Sequence, residues 1–555
     1  MRRTDREISH PRRPSFLSGV FLLSLSAMLV KVTGLLTKIP LLRLLGAEGM
    51  GYYNTAYEVY AFLFVLSTAG LPVALSILVS EGRDGSGRVL RVACRLFALI
   101  GGAGAALLWF GAAPLSALMG NAGAEASMRA VAPAVLFICL SAAVRGYYQG
   151  LQNMMPTAVS QLLEAVGKLG FGLLFASLAT RRALPLPRVA AAGAMGLSAG
   201  TLLSLLYLLL FLSAHSARDR GKDGRRVSEP AQAKRPAQRI LGRLLAIAVP
   251  ITLSSGVITL TRLLDMVLIL RRLRGCGYTE AAVNVLYGAY STLAVPLYSL
   301  LPALIGSVAL PLVPGIARAR EVGDLQGERE IVSASFRLTL LLALPASMGL
   351  SVFARPILTL LFGAGEGAVA QASPLLTLLG ASVLGACLMT VTGAMLQAYH
   401  RPHLPLLSML VGSAVKLTAA WFLLGWGRVG MLGAPISTFL CNLTVVLLDL
   451  AFLAPLIPRE RSVLSFAWRT FGASLLSVGM SYALWYVAES RLILPRPAPL
   501  VAVALCFFLY LLLILRMGAL QWEDVARFSF GARLWVVLER LHLIKSGEKV
   551  VNFHR

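Results

Sequence analysis

About fourteen stretches of this chain run for some twenty residues or more with few or no charges, and that recurrence leaves few folds open. The hydrocarbon core of a bilayer is about 30 Å thick and a helix rises about 1.5 Å per residue, so roughly 20 apolar residues make one crossing. The chain has 555 residues, of which 57% are hydrophobic and only 14% charged, and its mean hydropathy is +0.76. An ordinary soluble enzyme of this size is excluded. The expected fold is all-α: a polytopic integral membrane protein of about 14 transmembrane helices. The first apolar run, Phe16 to Leu42, is too long and too charged for a cleaved signal peptide, so an intact amino terminus is expected.

Lys and Arg fall unevenly between the connections. With both termini cytoplasmic, about 32 basic residues lie inside and about 12 outside, which is the positive-inside bias. The net charge of +26 is explained in the same way and does not point to nucleic acid. Anionic membrane lipids are the expected partners of the basic tail 1–14, the Pro- and Gly-containing basic linker 215–238, and the tail 518–555. In that last tail Trp522, Phe528, Phe530, Leu534 and Trp535 alternate with Arg527, Arg533 and Arg540, as in an amphipathic helix lying on the inner surface.

Six scattered cysteines form no metal or disulfide framework, and His400 and His403 read as part of a short interhelical loop. Glycine clusters at Gly101 and Phe362 lack the Lys-Ser/Thr ending of a phosphate loop. No cofactor, metal or catalytic residue is expected.

An internal repeat organises the chain. At an offset of 248 residues, Gln149, Ser160, Leu162, Lys168 and Leu169 match Gln397, Ser408, Leu410, Lys416 and Leu417 without a gap. At an offset of 230, Tyr57, Tyr60, Leu71 and Pro72 match Tyr287, Tyr290, Leu301 and Pro302. Two pseudo-symmetric six-helix lobes follow, residues 15–214 and 239–456, with two further helices in 457–517. An even number of helices per lobe gives both copies one orientation, a plan recurrent among transporters that alternate access to a midplane site.

Ionisable residues inside a bilayer are costly and mark cavities or pathways. Lys31, Lys168 and Lys416 lie near the centres of their segments, and Lys168 and Lys416 are the repeat-matched pair. Together with Lys38 and Arg262 they are the candidate substrate-binding cations of a central cavity. Glu164, four residues before Lys168 on one helix face, Asp265, three residues after Arg262, and Glu58 are the candidate cavity or ion-coupling carboxylates. Two roles stand side by side for Arg262 with Asp265, a structural ion pair or a cavity lining, and Glu164 serves either to neutralise Lys168 or to face the cavity. An excess of fixed positive charge suits an anionic phosphate or pyrophosphate headgroup.

LLGAEGMGYYNTAY with LSTAGLPVALSILVSE, RGYYQGLQNMMPTAVSQLLE, and PITLSSG followed by Asp265 resemble the stage V sporulation protein B group of polysaccharide-biosynthesis membrane proteins. That group belongs to the multidrug/oligosaccharidyl-lipid/polysaccharide flippase superfamily, which includes the lipid II flippases, and the resemblance covers about residues 15 to 520. It implies a fourteen-helix flippase of a bacterial cell membrane. Such a protein turns polyprenyl-pyrophosphate-linked saccharides from the inner to the outer leaflet for wall, spore-cortex or polysaccharide assembly, and cell-wall synthesis enzymes are a further partner class. It also implies that basic residues of the first helix, here Lys31, Lys38 and Arg43, face the pyrophosphate. In RGYYQG, Arg145 and Gln149, with the repeat-matched Gln397, are gate candidates, with helix capping as the other reading. The rival functions are a cation-coupled multidrug exporter of the same superfamily and a non-transporting scaffold or scramblase.

Overall fold

The computed structural model describes residues 16–82, 85–222, 237–309, 312–363, 366–457, 461–491 and 498–517; at some positions within these helices, Lys31 among them, only the backbone is described. The amino-terminal tail 1–14, most of the linker 215–238 and the amphipathic tail 518–555 lie outside the described residues.

Among the described residues every regular element is helical. In the first half these are α1 (Phe16–Thr68), α2 (Leu71–Glu81), α3 (Ser86–Phe110), α4 (Ala112–Leu118), α5 (Glu125–Gly150), α6 (Met155–Arg181) and α7 (Leu186–Lys222). There follow α8 (Ala237–Gly275), α9 (Glu280–Ala289), a π-helical turn at Tyr290–Ala294, α10 (Val295–Ala309), α11 (Leu312–Glu321), α12 (Leu325–Val352), α13 (Ala354–Phe362), α14 (Glu366–Ala398), α15 (His403–Gly425), α16 (Gly433–Leu453), α17 (Arg461–Arg491) and α18 (Ala498–Arg516).

Eleven helices among the described residues are long and apolar enough to cross a bilayer, or twelve when α8, bent by 45° after Leu253, counts as one span. The protein is therefore a multi-pass membrane protein, though the expected fourteen spans are not all distinguished. The first two expected segments run together in α1, which breaks only at Gly46, where a φ of 64° is open to glycine at little cost. The last, Leu500–Arg516, is apolar but short.

The helices gather into two compact units: one holds the chain up to Leu44 with Thr55–Ala117 and Ala122–Leu260, the other Leu45–Asn54, Leu118–Asn121 and the chain from Thr261. In the first unit, Leu75, Leu78, Val89, Phe97, Cys139, Ile240 and Leu244 form a sealed core. In the second, Val383, Val391, Met395 and Leu396 of α14 anchor a core with Ile305, Ile316 and Val332. Lipid tails are as apolar as leucine, so helices in a bilayer gain mainly by close packing of small residues. Accordingly α6 and α7 meet through Gly167 and Gly172 against Gly196 and Gly200, and a Cβ at Gly200 would run into the backbone of Glu164 and Lys168. Gly200→Leu is thus expected to abolish the folded yield of detergent-extracted protein, measured by size-exclusion chromatography, while leaving membrane insertion intact.

The internal repeat is visible in backbone detail. α5 ends with Gln152 at φ 59° and α14 is followed by His400 at φ 57°, residues 248 positions apart. At the first, Gln152 N donates to Gln149 O and Asn153 N to Tyr148 O; at the second, His400 N donates to Gln397 O and Arg401 N to Leu396 O. Both ends are the same left-handed helix stop, and the next helix starts at Met155 and His403, again 248 apart. A non-glycine residue pays about 1 kcal/mol or more in that conformation. Gln152→Gly and His400→Gly are each expected to raise thermal stability by up to about that amount, as read by nanoscale differential scanning fluorimetry.

Two buried ion-pair clusters as the candidate functional site

In the first unit the cluster is built on α6. Glu164 and Lys168, one turn apart, bring their side chains together with Lys168 Nζ 2.6 Å from Glu164 Oε1. Arg145 of α5 reaches the other carboxylate oxygen at 2.8 Å, and the same guanidinium donates to Ser160 Oγ of α6 at 2.9 Å and to Ser204 Oγ of α7 at 2.8 Å. Both Arg145 and Glu164 are buried. Arg145 therefore ties three helices together more than one turn inside the end of α5. Lys168 is different: its side chain keeps 23% exposure in the middle of the span, and its ammonium stands 5.7 Å from the centre of the Tyr60 ring. Two cations and one carboxylate leave this cluster a net charge of about +1.

The second unit holds the repeat-matched lysine with a different partner. Gly412 of α15 occupies the position corresponding to Glu164, and the space a side chain would need is taken by Val445 and Cys441 of α16. Lys416 cannot find a carboxylate one turn back on its own helix. It pairs instead with Asp265 of α8, Nζ 2.8 Å from Oδ2, and Thr261 Oγ1 donates to Ser413 Oγ at 3.0 Å to join the same two helices. Among the described residues Asp265 Oδ1 is buried without a hydrogen-bond partner. Nearby, Asn442 of α16 donates to the hydroxyl of Tyr298 of α10 at 2.8 Å.

The partner of Asp265 is thus Lys416, and Arg262 points to an exposed face. Lys38 and Glu58, both half-buried, interact electrostatically within the first unit. The backbone of Lys31 is helical and its side chain lies outside what is described. Gln149 and Gln397 use their backbone carbonyls in the matching helix stops; the first is half-buried and the second exposed. His400 is itself the left-handed residue of one stop and His403 opens α15.

Sequence reasoning passed over Tyr60 as a lysine neighbour and also Asp449, buried in α16. Asp449 had a signal: it is the single charged residue between Met431 and Leu456. It also passed over a cluster beside α14, where the Tyr399 hydroxyl donates to buried Glu328 at 2.5 Å and the Arg320 guanidinium lies 4.7 Å over the Tyr399 ring.

Two helical units related by an internal repeat, each with a paired lysine at mid-span, define a membrane transporter fold. That fold is shared with the structure of lipid II flippase MurJ in an inward closed conformation, at a TM-score of 0.67 and 16% identity over 89% of this chain and 98% of that one. The chain belongs to the polysaccharide biosynthesis protein family, whose model matches residues 16–320, and a MatE model matches residues 250–422. It is similar to stage V sporulation protein B of Bacillus subtilis, 25% identical over 94% of this chain and 99% of that protein. It is also similar to lipid II flippase MurJ of the same organism, 24% identical over 72% of this chain and 76% of that one.

Proposed function

We propose that this protein is a flippase that moves polyprenyl-pyrophosphate-linked saccharides across a bacterial cell membrane, from the inner to the outer leaflet, by alternating access and without chemistry on the substrate. The observation that carries the reading is the pair Lys168 and Lys416, repeat-matched and at mid-span, each retaining some exposure although ion-paired. A charged side chain at that depth is too costly to leave against lipid, so the exposed part faces water. The first-unit cluster keeps a surplus positive charge suited to a phosphate or pyrophosphate, and Lys38 and Lys31 extend the set of candidate cations along α1. The relatives named for lipid II and for sporulation support the substrate class. The basic bias of the connections supports cytoplasmic termini.

The test is leaflet accessibility of a lipid-linked saccharide in proteoliposomes. Intact protein is expected to translocate it, and Lys168→Met to slow translocation by about tenfold or more, since one charge-assisted hydrogen bond is worth about 1.5–3 kcal/mol. No movement by the intact protein, with movement of a cationic dye instead, would transfer the assignment to multidrug export, the reading that the MatE match supports.

A further inference from the structure

The candidate cavity carboxylates are each beside a cation: Glu164 takes Arg145 and Lys168, Asp265 takes Lys416, and Glu58 interacts with Lys38. Asp449 of α16 is not. It is 1% exposed, and among the described residues no basic group pairs with it. One oxygen, Oδ2, accepts from Thr392 Oγ1 of α14 at 2.8 Å, while Oδ1 is without a hydrogen-bond partner among the described residues. The Thr392 hydroxyl also lies 3.0 Å from the carbonyl of Leu388 and 3.3 Å from that of Met389. A hydroxyl has one hydrogen to give. The shortest of the three acceptors is Asp449 Oδ2, to which the Thr392 hydroxyl donates, so one shared hydroxyl is the hydrogen-bond donor within reach of Oδ2 and the carboxyl group has no cation to balance a charge.

Ser408 of α15 stands against the same carboxyl group. Its repeat mate, Ser160, accepts from Arg145. Equivalent places in the two units therefore hold a guanidinium in one and a carboxyl in the other. A sealed carboxylate without a cation is far costlier than its neutral form. Among the described residues of the helices packed on α16, the polar groups set against Asp449 are Thr392 and Ser408. On its own helix Cys441 is about two turns away, and Lys416, about two turns beyond Ser408 on α15, is held by Asp265.

We propose that Asp449, with Thr392 and Ser408, is a proton-binding site of the second unit and that its proton is exchanged during transport; the latter clause rests on the flippase reading. The experiment uses full-length protein in proteoliposomes. Infrared spectra at neutral pH are expected to show the carbonyl band of a protonated carboxyl group that disappears in Asp449→Asn and shifts in Thr392→Val. An imposed pH gradient is expected to accelerate saccharide movement in the intact protein severalfold and to have no effect in Asp449→Asn. An unchanged band in both variants, a gradient response retained by Asp449→Asn, or thermal protection by sodium over choline that Asp449→Asn loses would each overturn the proposal. If the intact protein moves no saccharide, the coupling role falls with the flippase reading, and the infrared band then shows which of the two failed.

Discussion

Arg145→Met is expected to destabilise the detergent-solubilised protein by about 3–5 kcal/mol, the loss typical of removing one partner from a buried ion pair. Three contacts vanish at once, to Glu164, Ser160 and Ser204, so α5 is no longer tied to α6 and α7. Glu164 would be left with Lys168 alone in a site where it is 9% exposed. Arg145→Lys keeps the charge but a lysine ammonium cannot reach three acceptors in the plane of a guanidinium, so an intermediate loss is expected. Thermal unfolding in detergent, with tryptophan fluorescence as the probe, measures both. A role confined to gating predicts the opposite pattern, with translocation reduced and the unfolding temperature of both variants equal to that of the intact protein. Combining Arg145→Met with Glu164→Gln separates the two contributions, because removing the uncompensated carboxylate should recover part of the stability lost.

The membrane class and the helical content were legible from the recurring long apolar runs, and the twofold repeat from Gln149, Ser160 and Lys168 recurring as Gln397, Ser408 and Lys416, since polar residues matched in register are rare in apolar sequence. The repeat then reappears as matching helix stops at Gln152 and His400. Pairing was legible only where it was local. Glu164 and Lys168 meet because i and i+4 share a helix face. Arg262 and Asp265 obey the nearly equivalent i, i+3 spacing, yet Asp265 turns to Lys416, more than a hundred residues away, because tertiary packing brings α15 beside it. The substitution of Gly412 for a carboxylate on α15 was the sequence trace of that difference, and it has meaning only once Val445 and Cys441 are seen to fill the gap. The fourteen spans are not all distinguished for a related reason: hydropathy marks apolar length, whereas the break inside α1 depends on the backbone of Gly46.

The sharpest test of the lysines is a double-mutant cycle on Lys416 and Asp265. Lys416→Met alone strands Asp265, 6% exposed, and is expected to cost stability and to reduce translocation by tenfold or more, about 1.4 kcal/mol or more. Asp265→Asn alone leaves a buried ammonium facing an amide and should be comparably destabilising, while keeping the positive charge in place. The double variant removes both charges, and replacing a buried pair as a unit is often neutral or stabilising. Unfolding temperature is therefore expected to return close to that of the intact protein. Transport decides the role. If Lys416 serves only to hold α15 against α8, translocation recovers with stability in the double variant. If the lysine also meets the anionic headgroup, the double variant is stable and still fails to translocate, while Asp265→Asn, with its cation now unneutralised, binds the lipid-linked saccharide more tightly and releases it more slowly. The second pattern is the one expected here, because Lys416 retains 13% side-chain exposure in a pair that packing alone would have sealed.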